Sequence, residues 1–86
     1  MKKHTKIYLD YFGYGEQDFI PCEACQSKAV DVHHISGRGK GKDEINNLMA
    51  LCRKHHTMAH DEKITNSELI YIHKSFLAGQ RKRFLV

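Results

Sequence analysis

The chain has 86 residues, which is enough for one small domain and leaves no room for a second hydrophobic core. Lysine and arginine outnumber the acidic residues by 14 to 10, and the net charge of +4 modestly favours an anionic partner such as nucleic acid. The odd number of cysteines, three, argues against a secreted disulfide framework, and no apolar run is long enough for a signal peptide or membrane span, so we expect a reducing cytoplasm.

The first predicted elements are a helix and a strand. Residues 5–12 have the pattern of a short apolar helix, which ends at two glycines, Gly13 and Gly15. Residues 28–34 show β-branched alternation and predict a strand. Between them, we expect a β-hairpin whose turn holds Cys22 and Cys25 as a zinc knuckle.

The middle of the chain predicts a loop, a returning segment and a helix. Residues 36–43 are rich in glycine and form the loop. Residues 44–51 cross back, and four of their apolar side chains are expected in the core: Ile45, Leu48, Met49 and Leu51. A short helix should follow Cys52 and carry three histidines: His55, His56 and His60.

The last predicted element is a C-terminal helix at about residues 66–78. Residues 65–68 (Thr-Asn-Ser-Glu) form a capping box, and Gly79 is expected to end the helix. A stripe of apolar residues with helical spacing supports it: Leu69, Ile72 and Phe76.

Two pairs of metal-ligating residues, each with a gap of two residues, stand out: Cys22 with Cys25, and Cys52 with His55. This spacing is typical of a closed structural zinc site. Cys22 and Cys25 could instead form a thioredoxin-type redox pair or stay as buried thiols, but no βαβ pattern surrounds them. Because so short a chain is marginally stable without a staple, a structural Zn²⁺ would supply folding free energy.

A second set of histidines is not needed by that zinc site: His33, His34, His56 and His60. His56 and His60 lie four residues apart on a predicted helix, so both imidazoles project from one face and can share an ion. His55 lies about 100° around the same helix and can serve a different metal. Thr57 stands where zinc proteases carry their glutamate base, which excludes a protease. Two solvated helix histidines are the simple alternative.

His33 and His34 are adjacent in a predicted strand and should therefore point to opposite sides. One of them can bind a metal while the other accepts a proton from water, and hydrolysis of a phosphodiester needs both roles. Asp31 shares the strand face of His33, where it would either orient that ring or be an ordinary surface acid.

The glycine-rich loop carries several cations but does not match a phosphate-binding P-loop. Ser36 and Asp43 stand where such a loop needs a glycine and a serine or threonine. The loop would either contact a nucleic-acid backbone or be solvated. The candidate phosphate contacts, including two at the start of the following helix, are Arg38, Lys40, Lys42, Arg53 and Lys54.

Residues 22–60 resemble the HNH endonucleases, also known as ββα-metal or His-Me finger nucleases. Residues 31–35 (DVHHI) are similar to the family's first histidine motif, residues 47–52 to its central asparagine segment, and His56 to its final histidine. The two Cys/His pairs resemble the zinc knuckles of many members, with His55 in place of the more frequent fourth cysteine.

The resemblance implies a single α+β domain over residues 1–86, in which two antiparallel strands and a helix clasp one divalent ion beside a zinc-stapled hairpin and flanking helices. It implies that His34 is the general base and that Asn47 holds the catalytic loop or orients that imidazole. The implied ligands of the catalytic ion are His33, His56 and His60. Members differ in which of two neighbouring residues binds the metal, so His33 and His34 could exchange roles.

We therefore expect a metal-dependent endonuclease that hydrolyses DNA phosphodiester bonds, with weak sequence preference and with protein partners for targeting, as suits a phage-like accessory enzyme. Imidazoles accept Zn²⁺, Ni²⁺, Co²⁺ or Mn²⁺, and Mg²⁺ is used with few protein ligands, so the sequence leaves the cation open. It also leaves open DNA or RNA, nicking or double-strand cleavage, and the oligomeric state. The alternative is a non-catalytic zinc module for nucleic acid or protein, which gives the second set of histidines no joint role.

Overall fold

The computed structural model describes residues 2–15, 17–37 and 41–85, with the backbone alone given for residues 80–85. The elements in chain order are helix α1 (Lys3–Phe12), strand β1 (Asp31–His34), a 3-10 turn (Ile45–Asn47), strand β2 (Leu48–Leu51), helix α2 (Arg53–His60) and helix α3 (Asn66–Leu85). The expected α+β class is confirmed, and the arrangement is compatible with a ββα fold. Two candidate phosphate contacts, Arg38 and Lys40, lie outside the described residues. No helix within the described ranges is both long and apolar enough to cross a membrane.

The two strands form an antiparallel sheet in which His33 pairs with Met49. All four residues of β2 are buried, whereas β1 alternates, with Val32 and His34 more buried than their neighbours. Successive side chains of a strand point to opposite faces, so Asp31 and His33 share one face of the sheet. Val32 and His34 share the other, and the two adjacent histidines are separated as predicted.

Helix α1 packs on the face of the sheet that carries Val32. Its buried residues Tyr8 and Leu9 belong to the same apolar cluster as Val32 and Leu48. The helix begins two residues before the predicted start and ends at Gly13, whose φ of 72° is left-handed. Glycine adopts this conformation without the steric cost of a Cβ atom, which explains the predicted stop.

Helix α3 begins as predicted and ends later than predicted. The Glu68 carboxylate accepts from the backbone N–H of Thr65 at 3.0 Å, and the Glu68 N–H donates to the Thr65 hydroxyl at 3.2 Å, which makes a reciprocal capping box. The expected end near residue 78 is wrong, because α3 continues through Gly79 to Leu85. Among the glycines that the structure describes, those in the left-handed conformation are Gly13, Gly37 and Gly41, so Gly79 does not make the turn that would stop a helix.

A short hairpin precedes β1 and carries the first two cysteines. Pro21 and Lys28 form an antiparallel bridge, and the Ala29 N–H donates to the Ile20 carbonyl at 2.8 Å. The hairpin that was expected to carry Cys22 and Cys25 is therefore present. The strand predicted over residues 28–34 is shorter than expected, since pairing with β2 begins only at Asp31.

The buried carboxylate of Glu23 connects this hairpin to three other elements. Tyr8 of α1 donates its hydroxyl to Oε2 at 2.6 Å, and the Ala50 N–H of β2 donates to the same oxygen at 3.3 Å. Nδ1 of His73 in α3 lies 2.7 Å from Oε1, while its Nε2 lies 2.6 Å from the Ile45 carbonyl. Both acceptors lack hydrogens, so His73 donates from both nitrogens and is an imidazolium paired with a carboxylate.

Electrostatics agree with that assignment. Burial lowers the pKa of His73, but the hydrogen bond and negative charge of Glu23 raise it by more, so the net pKa lies above its ordinary value. Burial, followed by the charge of Glu23, also holds the pKa of Tyr8 far above its usual range, so this hydroxyl stays a donor. Glu23 therefore accepts hydrogen bonds from one neutral and one cationic side chain.

Glu23→Gln should lower the free energy of unfolding by about 3 kcal/mol, because it leaves the buried His73 without its counter-charge. The measurement is denaturant unfolding of the zinc-loaded protein. Asp10→Asn is the matched control. Asp10 and its partner Lys6 form an ion pair whose side chains are about two-thirds exposed, so loss of this pair should hardly change the free energy of unfolding. Equal effects of the two substitutions would contradict the central role given to Glu23.

The stabilisation from this pair should depend on pH. The folded-state pKa of His73 is raised, so the contribution is fully present below the unfolded value of about 6.5 and is lost as pH rises through the folded pKa. The difference in unfolding free energy between wild type and Glu23→Gln should therefore shrink as pH rises above about 6.5. A difference that grows with pH would reverse the assigned charge of His73.

Candidate metal centres and active site

Four side chains with metal-ligand atoms meet where the hairpin approaches the start of α2: Cys22, Cys25, Cys52 and His55. The Sγ atoms of Cys25 and Cys52 are 3.7 Å apart. Nδ1 of His55 lies 3.3 Å from Sγ of Cys52 and 3.8 Å from Sγ of Cys22. The edges of a tetrahedron around Zn²⁺ are about 3.8 Å between sulfurs and about 3.5 Å between sulfur and nitrogen. This cluster could therefore bind a zinc ion.

The two thiols of the hairpin have different environments. The Ser27 hydroxyl lies 2.8 Å from Sγ of Cys25, and hydrogen bonding by Ser27 lowers the pKa of Cys25 to about 6. Burial raises the pKa of the Cys22 thiol. Cys25 is thus a thiolate, the form that binds metal, at neutral pH, while the charge of a bound cation would deprotonate Cys22. All three cysteines are free of disulfides, as the expected zinc site requires.

Three imidazoles from β1 and α2 form a second cluster: His33, His56 and His60. Their ring centroids are 4.6 to 5.3 Å apart. Nε2 of His56 and Nε2 of His60 are 3.1 Å apart, and two nitrogens on one ion at 2.0–2.1 Å would lie about 3 Å apart. The four-residue spacing on α2 places these two rings together, and strand alternation turns His33 toward them. The donor set therefore fits a divalent transition-metal ion.

The protonation state of His33 suits a metal ligand. Burial, followed by the positive charges of the neighbouring histidines, lowers the pKa of His33 to about 4. Its ring is therefore neutral at physiological pH and keeps a lone pair. Oδ2 of Asp31 lies 4.0 Å from Nδ1 of His56. Asp31 thus approaches a ring of this cluster, although the sequence pointed to His33 rather than His56 as the ring it would orient.

His34 lies beside this cluster without belonging to its ligand set. It is buried at the end of β1, and its Nε2 lies 2.7 Å from Oδ1 of Asp43. That hydrogen bond lowers the pKa of Asp43. His34 and the three imidazoles line one cavity of about 140 Å³, together with Val32 and Gly37. A group bound in that cavity would face both the metal-type cluster and the His34 ring.

Asn47 closes the loop between the two strands. Its Oδ1 accepts from the Ser36 N–H at 2.7 Å, and its Nδ2 donates to the carbonyls of Gly37 and Lys42 at 3.2 and 2.8 Å. The side chain therefore joins both ends of the loop. Of the two roles that the resemblance implied, this geometry favours holding the loop, and the carboxylate of Asp43 is the group hydrogen-bonded to His34.

Two residues near His34 had no assigned role in the sequence analysis. They are Asp43, which the loop pattern marks only as a mismatch to a P-loop, and His4, which belongs to no motif. The rings of His4 and His34 lie 4.4 Å apart between centroids, and His4 is buried on α1. No spacing rule links either residue to His34, because one contact depends on loop closure and the other on the packing of α1.

The remaining described candidates for phosphate contact are exposed. Lys42 lies in the loop, and Arg53 and Lys54 form the first turn of α2. The same helix carries His56 and His60, so cations at its start lie on the element that supplies two imidazoles.

Comparison with known proteins identifies a family that the chain matches. The family model described as "Recombination enhancement, RecA-dependent nuclease" matches residues 16–86, which leaves all of α1 outside the match. The comparisons with curated proteins and with solved structures gave no match.

Cys52→Ser should remove one tightly bound zinc ion per chain and unfold the protein at ambient temperature. Cys52 begins α2 and contacts both Cys25 and His55, and apparent binding free energies at structural zinc sites are about 10–16 kcal/mol. Zinc content by elemental analysis and the melting temperature are the measurements, with Ser67→Ala, an exposed residue of α3, as control. If Cys52→Ser contained as much zinc as the wild type, the assignment of this cluster as a zinc site would be wrong.

Proposed function

The chain belongs to the family of RecA-dependent nucleases of recombination enhancement, and on that premise we propose that it is an HNH endonuclease that hydrolyses DNA with a divalent cation. Family membership makes it a nuclease and nucleic acid its substrate. The observation that carries the finer assignment is the convergence of three imidazoles from β1 and α2 in the cavity that His34 also lines. The order of strand, strand and helix is compatible with the ββα arrangement of that class of nuclease, which supports the proposal.

In this proposal, the residues of the second cluster hold the catalytic cation: His33, His56 and His60. A bound divalent cation supplies Lewis acidity to the phosphoryl oxygens and to the leaving oxygen. Neutral imidazoles are the form that ligates, and the lowered pKa of His33 keeps that ring neutral. Asp31 would fix the orientation of His56 from the far side of its ring.

His34 would act as the general base. It lines the cavity, is separated from the ligand set by strand alternation, and can take a proton from a water molecule placed against the phosphorus. The sequence left the roles of His33 and His34 exchangeable. The geometry favours His33 as ligand, because its ring lies 5.2 and 5.3 Å from those of His56 and His60.

The other site residues would position loop and substrate. Asn47 ties together the ends of the loop that follows His34. Backbone phosphates would be neutralised by three exposed cations from the loop and from the first turn of α2: Lys42, Arg53 and Lys54. We include Arg38 and Lys40, which precede Lys42 in the sequence, in this proposed role. Contacts to phosphate carry no sequence information, so we expect weak sequence preference from this domain.

The family description supports the substrate and a partner. Recombination is a reaction of DNA, so we propose DNA rather than RNA. Dependence on RecA, which the description states for the family, is proposed here as the source of targeting. The rival reading, a non-catalytic zinc module, leaves the three-imidazole cluster without a function and does not suit a nuclease family.

His34→Ala and His33→Ala should separate the two roles. His34→Ala should keep the second, exchangeable metal ion and lower kcat by about 10²–10⁴-fold, the usual contribution of a general base. His33→Ala should lose that ion as well as activity. The assay is plasmid cleavage across divalent cations, with and without RecA and ATP, combined with elemental analysis of bound metal.

The two variants are matched controls for each other, since they truncate neighbouring residues of one strand. Cleavage by His34→Ala at the wild-type rate would show that His34 is not the base. Loss of the ion from His34→Ala with its retention in His33→Ala would exchange the roles.

A further inference from the structure

The side chain of Asp43 makes a short polar contact with His34. Its Oδ1 lies 2.7 Å from Nε2 of His34, and the His4 ring packs 4.4 Å away at 56° to the plane of the His34 ring. His4 and His34 are only 6% and 7% exposed. His34 is therefore held by a loop carboxylate and by the N-terminal helix, neither of which contributes to the three-imidazole cluster.

Building on the proposed role of His34, we propose that Asp43 is a positioning residue that fixes the tautomer and orientation of the general base. The ionised carboxylate only accepts hydrogen bonds, so the hydrogen of the neutral imidazole resides on Nε2. The lone pair then resides on Nδ1. That nitrogen is the one left to receive a proton from water.

The resulting step balances in atoms and electrons. An O–H bond of the water breaks as an N–H bond forms on Nδ1 of His34, and the water oxygen forms its new bond to phosphorus. The bond from phosphorus to the 3′-oxygen breaks with its electron pair, and that oxygen takes a proton from solvent. The imidazolium formed is stabilised by the Asp43 carboxylate and later returns its proton to solvent.

The fold explains how Asp43 reaches His34. Asn47 accepts from the Ser36 N–H and donates to the Lys42 carbonyl, so the residue next to Asp43 is tied back to the end of β1. Asn47 would thus act on the base through the loop. His4 comes from α1, outside the residues 16–86 that match the family model, and its ring packs against that of His34.

The same three side chains could in principle hold a third metal ion: His4, His34 and Asp43. The separation of 2.7 Å between Nε2 and Oδ1 is that of a charge-assisted hydrogen bond. Two ligand atoms about 2.0 Å from one ion would lie about 3.3 Å apart in tetrahedral geometry and about 2.8 Å apart in octahedral geometry. The separation therefore fits a tetrahedral ion poorly, and an octahedral ion is distinguished from the hydrogen bond by metal content, which becomes part of the test.

The first measurement uses the wild-type, zinc-loaded chain, so its result does not depend on whether a variant folds. ¹⁵N NMR of the histidine rings should show His34 in the Nε2–H tautomer. The Nδ1–H tautomer, or a metal-bound Nε2, would overturn the proposal.

Asp43→Asn should then lower kcat for DNA cleavage by about 10- to 100-fold with little change in KM, while Glu44→Gln, the exposed acid next to it, should have no effect. In the His34→Ala background, Asp43→Asn should cause no further loss, because the base that it positions is gone. Metal content should be equal in wild type and Asp43→Asn. Loss of an ion from Asp43→Asn, or additive losses in the double variant, would refute the positioning role.

These outcomes are distinct from failure of the proposed function. If His34→Ala cleaves normally, the base assignment itself is wrong. If His34→Ala is inactive and Asp43→Asn retains wild-type kcat, only the role of Asp43 is refuted.

Discussion

The buried carboxylate of Glu23 is the interaction on which the arrangement of elements depends. A carboxylate removed from water is stabilised only when its oxygens are fully hydrogen-bonded, and here the donors come from α1, β2 and α3. Glu23 lies between Cys22 and Cys25, and its backbone N–H also donates to the Ala50 carbonyl at 3.0 Å. Placing this carboxylate therefore fixes the hairpin thiols against β2, next to the residue that begins α2.

Strand alternation gives two adjacent histidines opposite environments. His33 faces α2 and meets two other imidazoles, whose positive charge opposes its protonation. His34 faces α1 and meets a carboxylate instead. The first environment suits a neutral metal ligand, and the second holds the neighbouring ring by a hydrogen bond to a carboxylate. A one-residue step along β1 thus separates the two proposed chemical roles within one cavity.

Local patterns were predictable from the sequence because local geometry determines them. Four of these patterns depend on residues a few positions apart: the two Cys/His pairs, the four-residue spacing of His56 and His60, the capping box at Thr65 and the glycine stop at Gly13. The contact of His73 with Glu23 joins residues 50 positions apart in the sequence, and no periodic pattern predicts it. Asp43 reaches His34 only after Asn47 closes the loop. The predicted end of α3 at Gly79 was wrong because a glycine weakens a helix by about 1 kcal/mol but ends it only when its backbone is left-handed.

The two metal-type clusters are coupled through α2, which has only eight residues. The zinc cluster takes Cys52 and His55 from its start, and the proposed catalytic cluster takes His56 and His60 from the adjoining face. A helix this short is marginal in isolation, and none of its residues is fully buried, so apolar packing alone holds it weakly. Coordination at its first turn would therefore set the direction in which the two catalytic imidazoles point. In the proposed architecture, a zinc ion at the first cluster would contribute to catalysis without touching the substrate, because it would orient the helix that carries two of the proposed ligands of the second ion.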